Sequence, residues 1–254
     1  MTPIHQNEAT VQRQFEEQLD LYTRAAAGAA YVVPDLVTPF LLSWLAARPD
    51  FAPAGGLRLC EFGGGGGVLL KRLEDGLPPP VTLVNAELVD AYRQHQASPA
   101  IQFRQASVLD SGFAAGAFDV VIMRNVLHHL IGDSLAQTRQ NQAHALAELR
   151  RVTRPGGLVL IQEQVNARAW AAALLFYLSR AAARLRLNLP AFEVTPHTIV
   201  AYLTPAGLRQ LCARHASPAA WQADIYRRRQ VGLRWRLTLL MANNGDALIA
   251  LPKL

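Results

Sequence analysis

The sequence predicts an α/β fold in which a mostly parallel sheet carries helices on both faces. Between residues 57 and 163, short apolar segments typical of strands alternate with segments of helical periodicity. This alternation indicates right-handed βαβ crossovers. A run of five glycines, Gly63–Gly67, directly follows the first strand. Near the end of the chain, two strand-like segments, 233–241 and 247–251, flank a turn sequence at 243–246, which predicts an antiparallel hairpin that closes the sheet.

Five strands are predicted within the alternating region, each from a run of apolar and β-branched residues. They cover residues 57–62, 81–85, 101–105, 118–123 and 158–163. The helices between them are predicted from the helical spacing of apolar residues. They cover residues 68–76, a segment that starts at about 88, and a long segment that ends near 151. The turn at 154–157, Arg-Pro-Gly-Gly, ends the long helix and starts the last of these strands.

The pattern divides the chain into a cap and a core. Residues 1–52 are predicted to form an N-terminal helical cap segment, because apolar residues recur there at helical spacing. Residues 53–254 form the core. Within it, the segment at about 164–216 departs from the alternation and predicts a helical insertion. That insertion has a long helix rich in Ala, Leu and Arg at about 168–187 and a shorter one at 205–215.

The composition excludes several classes of protein. A chain of 254 residues, 51% hydrophobic and 17% charged, is typical of a globular domain and excludes a disordered protein. The two cysteines, Cys60 and Cys212, form no disulfide framework and lie at no metal-ligand spacing, so a reducing cytoplasm and no metal are predicted. The N-terminus is polar, and the longest apolar run, 169–178, is shorter than the roughly 20 residues that span a bilayer. Neither export nor a membrane span is predicted.

The charge of the chain is basic but spread out. The formal net charge is +6, and all basic residues except Lys71 and Lys253 are arginine. A basic surface attracts anionic partners such as nucleic acid or acidic lipid. Here the tightest cluster is only Arg227–Arg229, and the abundance of alanine and arginine favours a composition bias. Nucleic acid is therefore not the predicted partner.

The segment that carries functional information is Glu61–Gly67. Its glycines let the backbone turn sharply and let a ligand approach the main chain. A dinucleotide fingerprint, G-x-G-x-x-G, needs a third glycine or alanine where this chain has Val68, Leu69 or Leu70. No Gly-Lys-Ser/Thr of a phosphate-binding loop follows either. The pattern that fits is E-x-G-x-G-x-G, with an acid two residues before the first glycine.

With this pattern the chain resembles the class I S-adenosylmethionine-dependent methyltransferases, over roughly residues 57–163 in motif order and in the terminal hairpin. The resemblance implies a Rossmann-like sheet of seven strands with the last antiparallel, S-adenosylmethionine as cofactor, and methyl transfer as the activity. It also implies that Glu61, Gly63 and Gly65 hold the methionine end of the cofactor. A carboxylate and backbone carbonyls suit the ammonium and sulfonium charges of that end.

Other family positions place the rest of the cofactor. Where the family usually has an acid after the second strand, this chain has Asn85, with Glu87 two residues on, and the sequence leaves open which of them contacts the ribose. After the third strand, the position that faces the adenine amino group reads Ser107, with Val108 as an apolar neighbour of the ring. Asp110 takes that place if the loop is shifted.

The segment after the fourth strand supplies candidates for both binding and chemistry. In the family its backbone borders the methionine moiety, so Arg124 is a further cofactor candidate. Methyl transfer is an in-line displacement that needs a base only when the acceptor carries a proton. His129 is the leading candidate for that base, and His128 and Glu163 lie at the same carboxyl edge of the sheet. His197, in the insertion, is a weaker candidate.

Aromatic residues in the cap and the insertion are predicted either to pack in the core or to cover an apolar acceptor. They are Phe15, Tyr22, Tyr31, Trp170, Phe176, Tyr177 and Phe192. A cap favours a small acceptor over a macromolecule. The predicted reaction is methyl transfer to oxygen or nitrogen of an aromatic, polyketide-like or quinone-like compound, in secondary metabolism or cofactor biosynthesis.

Two alternatives and the oligomeric state stay open at this point. One alternative is a methyltransferase that uses its arginines to hold RNA or protein. The other is a protein of the same fold that binds the cofactor and performs other chemistry or none, which the Asn85 departure allows. A homodimer is compatible with the sequence.

Overall fold

The computed structural model describes residues 8–9, 12–13, 15–16, 19, 34–187, 199–229 and 244–253. Within these residues, seven strands form a single sheet. They are β1 (Leu57–Phe62), β2 (Val81–Glu87), β3 (Ile101–Gln105), β4 (Phe118–Arg124), β5 (Thr153–Asn166), β6 (Ala223–Arg228) and β7 (Asn244–Pro252). The strand order is β3-β2-β1-β4-β5-β7-β6. The first five strands pair in parallel, and β7 runs antiparallel to both of its neighbours. The predicted fold class is confirmed.

From residue 34 onward, the described part of the chain has five α-helices beside the sheet. They are α1 (Val37–Ala46), α2 (Val68–Gly76), α3 (Leu135–Val152), α4 (Ala169–Arg184) and α5 (Pro205–Ala213). The described positions between 8 and 19 are also helical, in agreement with the first predicted helix. Among the described residues, no helix has the length and apolar character needed to cross a membrane.

Two of the described helices, α3 and α5, begin with a capping side chain. The side chain of Ser134 accepts the backbone N–H of Gln137 at the start of α3. At the start of α5, Thr204 accepts the N–H of Gly207 at 2.9 Å, and Pro205 occupies the first turn. A side-chain oxygen at this position satisfies a donor that the helix itself leaves free.

Two apolar layers cover the two faces of the sheet. Helices α1 and α2 pack on one face, where Leu41 and Leu73 are buried against strand residues such as Leu59. Helices α3 and α5 pack on the other face through residues such as Leu146 and Leu211. Helix α1, from the predicted cap segment, and α5, from the predicted insertion, thus both contact the sheet. The division at residue 52 into cap and core stays a prediction.

Leu146 offers a test of this packing, because it lies on the sheet side of α3 with no exposed surface. Replacing Leu146 by alanine is expected to lower the free energy of unfolding by about 3 kcal/mol, through lost burial and the cavity left behind. Urea denaturation measures this change. The control is Gln140→Ala on the exposed side of the same helix, which is expected to change stability by less than about 0.5 kcal/mol. Equal effects of the two substitutions would contradict the described orientation of α3.

One predicted helix is shorter and tighter than expected. Instead of an α-helix from about residue 88, residues Asp90–His95 form a 3₁₀-helix. The chain then turns back to the glycine loop, because the N–H of Ala97 donates to the carbonyl of Gly66 at 2.8 Å. The side chain of Gln96 also donates to the carbonyl of Gly65. These contacts end the helix after two turns.

The predicted hairpin turn at 243–246 is wrong. Residues 244–246 lie inside β7, and Asn244 pairs with Asn166 of β5. The strand on the other side of β7 is β6, and the predicted partner strand at 233–241 lies outside the described residues. Gly245 serves a close approach rather than a turn, since a Cβ there would lie 2.4 Å from the ring of Tyr226.

Candidate active site

The carboxyl ends of the parallel strands bring the predicted site residues to one edge of the sheet. Glu61, in β1, is aligned with Asn85 in β2 and with Ile122 in β4. Arg124 is the last residue of β4, and Glu163 lies in β5. Ligands of open α/β sheets bind outside this edge. Residues that are up to 102 positions apart in the chain therefore share one region.

The glycine loop after β1 adopts a conformation that side chains disfavour. Gly63, Gly65 and Gly67 have φ angles of +69°, +53° and +72°. At Gly63 a Cβ would also lie 2.4 Å from the side chain of Val126. Glycine is required at these positions because it adopts positive φ without steric cost. The loop ends at Gly67, the residue before α2.

Two amide side chains hold the loop from the side of β2. The Nδ2 of Asn85 donates to the carbonyl of Gly65 at 2.7 Å and to Oε1 of Gln96 at 3.0 Å. The Nε2 of Gln96 in turn donates to the carbonyl of Gly65 at 3.1 Å. Asn85 thus fixes the loop with its nitrogen. Its oxygen, Oδ1, is buried and accepts no hydrogen bond within the described part of the chain.

Glu87 holds the same loop through its carboxylate. Its Oε2 accepts the N–H of Gly65 at 2.9 Å, and its Oε1 accepts the N–H of Val89 at 3.0 Å. Burial raises the pKa of Glu87, while these donors favour the charged form. Both oxygens of Glu87 are engaged with the backbone, so Asn85 presents the acceptor atom that is left over.

Glu61 presents a second such atom. Its carboxylate is buried, and Oε2 has no hydrogen-bond partner among the described residues. Arg124 approaches Oε1 with its Nε at 3.9 Å. Burial raises the pKa of Glu61 to about 7, an effect that Arg124 opposes and that Glu87 and Asp35 reinforce. A bound cation would favour the charged carboxylate.

Oδ1 of Asn85 and Oε2 of Glu61 both lie beside Gly64. A Cβ on Gly64 would lie 2.6 Å from Oδ1 of Asn85 and 2.8 Å from Oε2 of Glu61. We call these two atoms the open acceptor oxygens. They form a buried cradle suited to a ligand that donates hydrogen bonds or carries positive charge, because buried acceptors are normally satisfied.

The residues after β3 face the N-terminal helix. The hydroxyl of Ser107 donates to the carboxylate of Glu8 and accepts the N–H of Leu109 at 3.0 Å. Val108 is buried in the core layer beneath, and Asp110 is exposed. Of the three candidates here, Ser107 contacts the N-terminal helix.

A buried acid–base pair lies beyond β4. His128 lies in a 3₁₀-turn, Leu127–His129, and its Nδ1 is 2.5 Å from Oε1 of Glu163. The other oxygen of Glu163 accepts the N–H of Leu127 at 2.8 Å. Burial lowers the pKa of His128 to about 3 and raises that of Glu163 to about 8. Burial thus disfavours the charged form of both groups.

His129 lies directly beside this pair. Its ring is 4.1 Å from that of His128 and meets the ring of Phe15, from the N-terminal helix, edge-on at 4.9 Å. Its Nδ1 is buried and finds no hydrogen-bond partner in the described ranges. Burial and the neighbouring His128 lower the pKa of His129 well below 6.5. His129 is therefore neutral near pH 7.

Comparison with known families agrees with this geometry. Residues 60–161, from β1 to β5, match the model of the methyltransferase domain. Residues 60–161 therefore form a methyltransferase domain of the S-adenosylmethionine-dependent type. No curated protein sequence matches the chain.

Solved structures share the fold of this chain. Phosphoethanolamine N-methyltransferase 2 of Haemonchus contortus has a TM-score of 0.58 at 11% identity, over 97% of this chain and 60% of that one. The [4+2]-cyclase SpnF has a TM-score of 0.57 at 14% identity, over 96% and 94%. CrArsM, an arsenic(III) S-adenosylmethionine methyltransferase of Chlamydomonas reinhardtii, has a TM-score of 0.54 at 18% identity, over 79% and 65%. The chain spans less than two thirds of the first and third of these proteins.

The cradle fits the cofactor of this methyltransferase family. S-adenosylmethionine carries an ammonium and a sulfonium charge, and its ribose and ammonium groups donate hydrogen bonds. The open acceptor oxygens of Glu61 and Asn85 are buried, and a side chain at Gly64 would occupy the space beside them. Acceptor atoms in a water-poor setting interact strongly with such donors.

Asn85 is expected to contribute to the affinity for the cofactor. Replacing it by alanine is expected to weaken binding by about 1–3 kcal/mol, because a buried acceptor and the donor that holds Gly65 are both lost. Asn85→Asp keeps the acceptor but replaces the Nδ2 donor by an oxygen 2.7 Å from the carbonyl oxygen of Gly65, so it is not expected to restore the affinity. Isothermal titration with S-adenosylhomocysteine measures both. Unchanged affinity in Asn85→Ala and in Glu87→Ala would show that β2 does not line the cofactor site.

Sequence reasoning missed several residues of the site. Gln96 holds the glycine loop, Glu8 contacts Ser107, and Tyr202 stacks on His128 with ring centres 5.0 Å apart. None of them belongs to a motif, and their contacts depend on the folded chain. The candidates His197, Tyr22, Tyr31 and Phe192 lie outside the described residues.

Proposed function

We propose that this methyltransferase acts on an oxygen or nitrogen atom of a small acceptor of aromatic, polyketide-like or quinone-like type, in secondary metabolism or cofactor biosynthesis. The observation that carries the proposal is the position of the N-terminal helix. Glu8 contacts Ser107 after β3, and Phe15 contacts His129 after β4. Residues seven apart lie on one face of a helix. One helix face therefore spans the site from the adenine position to the candidate base.

The cap and the insertion complete this cover in our proposal. We assign residues 1–52 to the cap and 164–216 to a helical insertion in the core, 53–254. In support, Ala172 and Leu175 of α4 pack against Tyr202, which stacks on His128. A site closed by helices on two sides excludes water and large acceptors. This favours a small molecule over RNA or a folded protein. We propose the cytoplasm as the location of the protein, on the ground of its two free cysteines.

Each residue of the site has a distinct part in the proposed reaction. When bound, the cofactor supplies an electrophilic methyl group. Glu61 and Asn85 hold its cationic and hydroxyl-bearing end, and Glu87 keeps the glycine loop in place. His129 would take the proton from the acceptor hydroxyl or amine, which frees the lone pair that accepts the methyl group the bound cofactor would supply. His128 contacts the ring of His129 and positions it, and Glu163 in turn holds His128.

The proposal is tested in two steps. Mass spectrometry of ligands released from the denatured protein is expected to show S-adenosylmethionine or S-adenosylhomocysteine. The protein is then incubated with S-adenosylmethionine and with phenols, aromatic amines, quinols, RNA or peptides, and release of S-adenosylhomocysteine is measured. Turnover with a small aromatic or quinol acceptor supports the proposal. Turnover with RNA alone, with steep salt dependence, would instead assign an RNA methyltransferase. Cofactor binding without turnover on any nucleophile would assign non-methylating chemistry.

A further inference from the structure

Helix α4 has an apolar face that is open to solvent. Trp170, Leu174, Tyr177 and Leu178 follow one another at helical spacing, and their side chains are 39–58% exposed. Leu185, just beyond the helix, continues this line at 68% exposed. We call these five residues the outer face of α4. The exposed side of an ordinary surface helix is polar, so this face is shaped for contact with an apolar environment.

The inner face of the same helix is also apolar and is already used. Ala171, Ala172, Leu175 and Phe176 are buried against the body of the protein. The apolar character of the outer face is therefore not needed for folding. Exposed side chains of this kind stabilise a protein little and increase the risk of aggregation, which makes a binding role the better explanation.

Arginines frame the outer face, and α4 itself contains no acidic residue. Arg168 precedes α4, Arg184 ends it, and Arg186 follows it, and all three are exposed. The guanidinium of Arg168 lies 6.0 Å from the ring centre of Trp170. Between Glu163 and Glu193 the sequence contains no Asp or Glu. Exposed Trp, Tyr and Leu with flanking arginine is the composition of helices that lie in the headgroup region of anionic bilayers.

We propose that the outer face of α4 docks on an anionic membrane surface. The charge distribution favours lipid over a second copy of the chain. In a symmetric contact between two antiparallel α4 helices, Arg168 of one copy would meet Arg184 and Arg186 of the other. No acidic side chain within the helix is available to pair with these charges. Anionic headgroups supply the missing negative charge.

The docked orientation places the membrane beside the catalytic residues. The inner face of α4 packs on Tyr202, which stacks on His128. A helix with its side chains is about 10 Å across. The headgroup region would therefore lie one helix diameter from the histidines. The docking inference rests on the surface of α4 alone and does not require the proposed methyl transfer.

Vesicle binding by the full-length protein tests the inference. The probes are vesicles of phosphatidylcholine alone and of phosphatidylcholine mixed with phosphatidylglycerol. We expect the protein to cosediment with the mixed vesicles, and we expect this binding to weaken when salt is added. Binding to vesicles of phosphatidylcholine alone should be weaker. Brominated lipids are expected to quench tryptophan fluorescence in the wild type and to quench it less in Trp170→Phe. No binding to the mixed vesicles would overturn the inference.

Two variants and one matched control locate the contact. Leu174→Ser combined with Leu178→Ser removes apolar surface, and Arg184→Glu reverses a charge at the rim. Both are expected to weaken vesicle binding. For Arg184→Glu the loss should be at least about fivefold, the scale of one basic residue at an anionic surface. Arg214→Glu, at an exposed arginine after α5, makes the same change in net charge and should leave binding unchanged. If Arg184→Glu and Arg214→Glu weakened vesicle binding equally, the net charge of the protein would explain the loss, and docking at α4 would be contradicted.

Sedimentation and thermal unfolding of the same variants complete the test. Their melting temperatures should equal that of the wild type, because the substituted side chains are exposed. A wild-type dimer that the leucine double variant dissociates, without vesicle binding, would assign the face to a second copy and overturn the proposal. Failure of methyl transfer with intact vesicle binding would count against the proposed function only.

Discussion

Replacing Gly64 by valine is expected to abolish binding of S-adenosylmethionine. A Cβ at this position would lie 2.6 Å from Oδ1 of Asn85 and 2.8 Å from Oε2 of Glu61, which are the two open acceptor oxygens. The valine side chain would fill the space between them and displace both. Loss of two hydrogen bonds to charged or buried groups, at roughly 1.5–3 kcal/mol each, corresponds to at least about a hundredfold weaker binding.

Gly55 provides the matched control for this substitution. A Cβ at Gly55 meets no atom within 4 Å, and its φ lies outside the left-handed region. Gly55→Val should therefore bind the cofactor with wild-type affinity in isothermal titration. Far-UV circular dichroism shows whether each variant is folded. If folded Gly64→Val protein bound the cofactor as tightly as Gly55→Val, the open acceptor oxygens would not belong to the cofactor site.

Replacing His129 by alanine is expected to lower turnover by roughly a hundredfold or more, the usual contribution of a positioned general base. Affinity for S-adenosylmethionine should stay nearly constant, since the open acceptor oxygens belong to other residues. Steady-state kinetics and titration separate the two effects. His144→Ala, at a histidine of α3 whose Nε2 donates to the carbonyl of Leu109, is the control for loss of a histidine hydrogen bond elsewhere and should affect turnover far less than His129→Ala. Near-normal turnover in His129→Ala would leave catalysis to alignment of the acceptor, and Glu163 would be tested next.

The pH profile adds a second readout for His129. Only the neutral imidazole accepts a proton, so the rate falls as pH drops through the pKa of this residue. Burial and His128 lower that pKa well below 6.5. The rate of the wild type is therefore expected to stay level from mildly alkaline pH down to 6.5 and to fall only under more acidic conditions. A fall centred at or above pH 6.5 would contradict the buried setting of His129.

Local pattern was sufficient for most of the sheet. The predicted strand at 57–62 and helix at 68–76 match β1 and α2 to the residue, because apolar runs and helical spacing are properties of short segments. Asn244–Asp246 shows the opposite case. The residues favour a tight turn, yet in the folded chain they lie between β5 and β6, and Gly245 is required by the approach of Tyr226.

The site divides in the same way. Glu61 and the glycines after it belong to a continuous motif, so sequence alone located the loop and indicated the cofactor. The contrast between Asn85 and Glu87 could not be resolved from sequence, because it depends on which carboxylate or amide oxygens the loop already occupies. The stacking of Tyr202 on His128 joins segments far apart in the chain, and no local signal marks it.

The central claim is that the loop from Glu61 to Gly67, with Asn85, holds S-adenosylmethionine. A crystal structure of the protein with S-adenosylhomocysteine measures this most directly. We expect ligand density against the backbone of Gly63–Gly65, with Oε2 of Glu61 and Oδ1 of Asn85 each in hydrogen-bond contact with the ligand. Ligand density elsewhere, or a bound ligand that leaves both oxygens without contact, would contradict it.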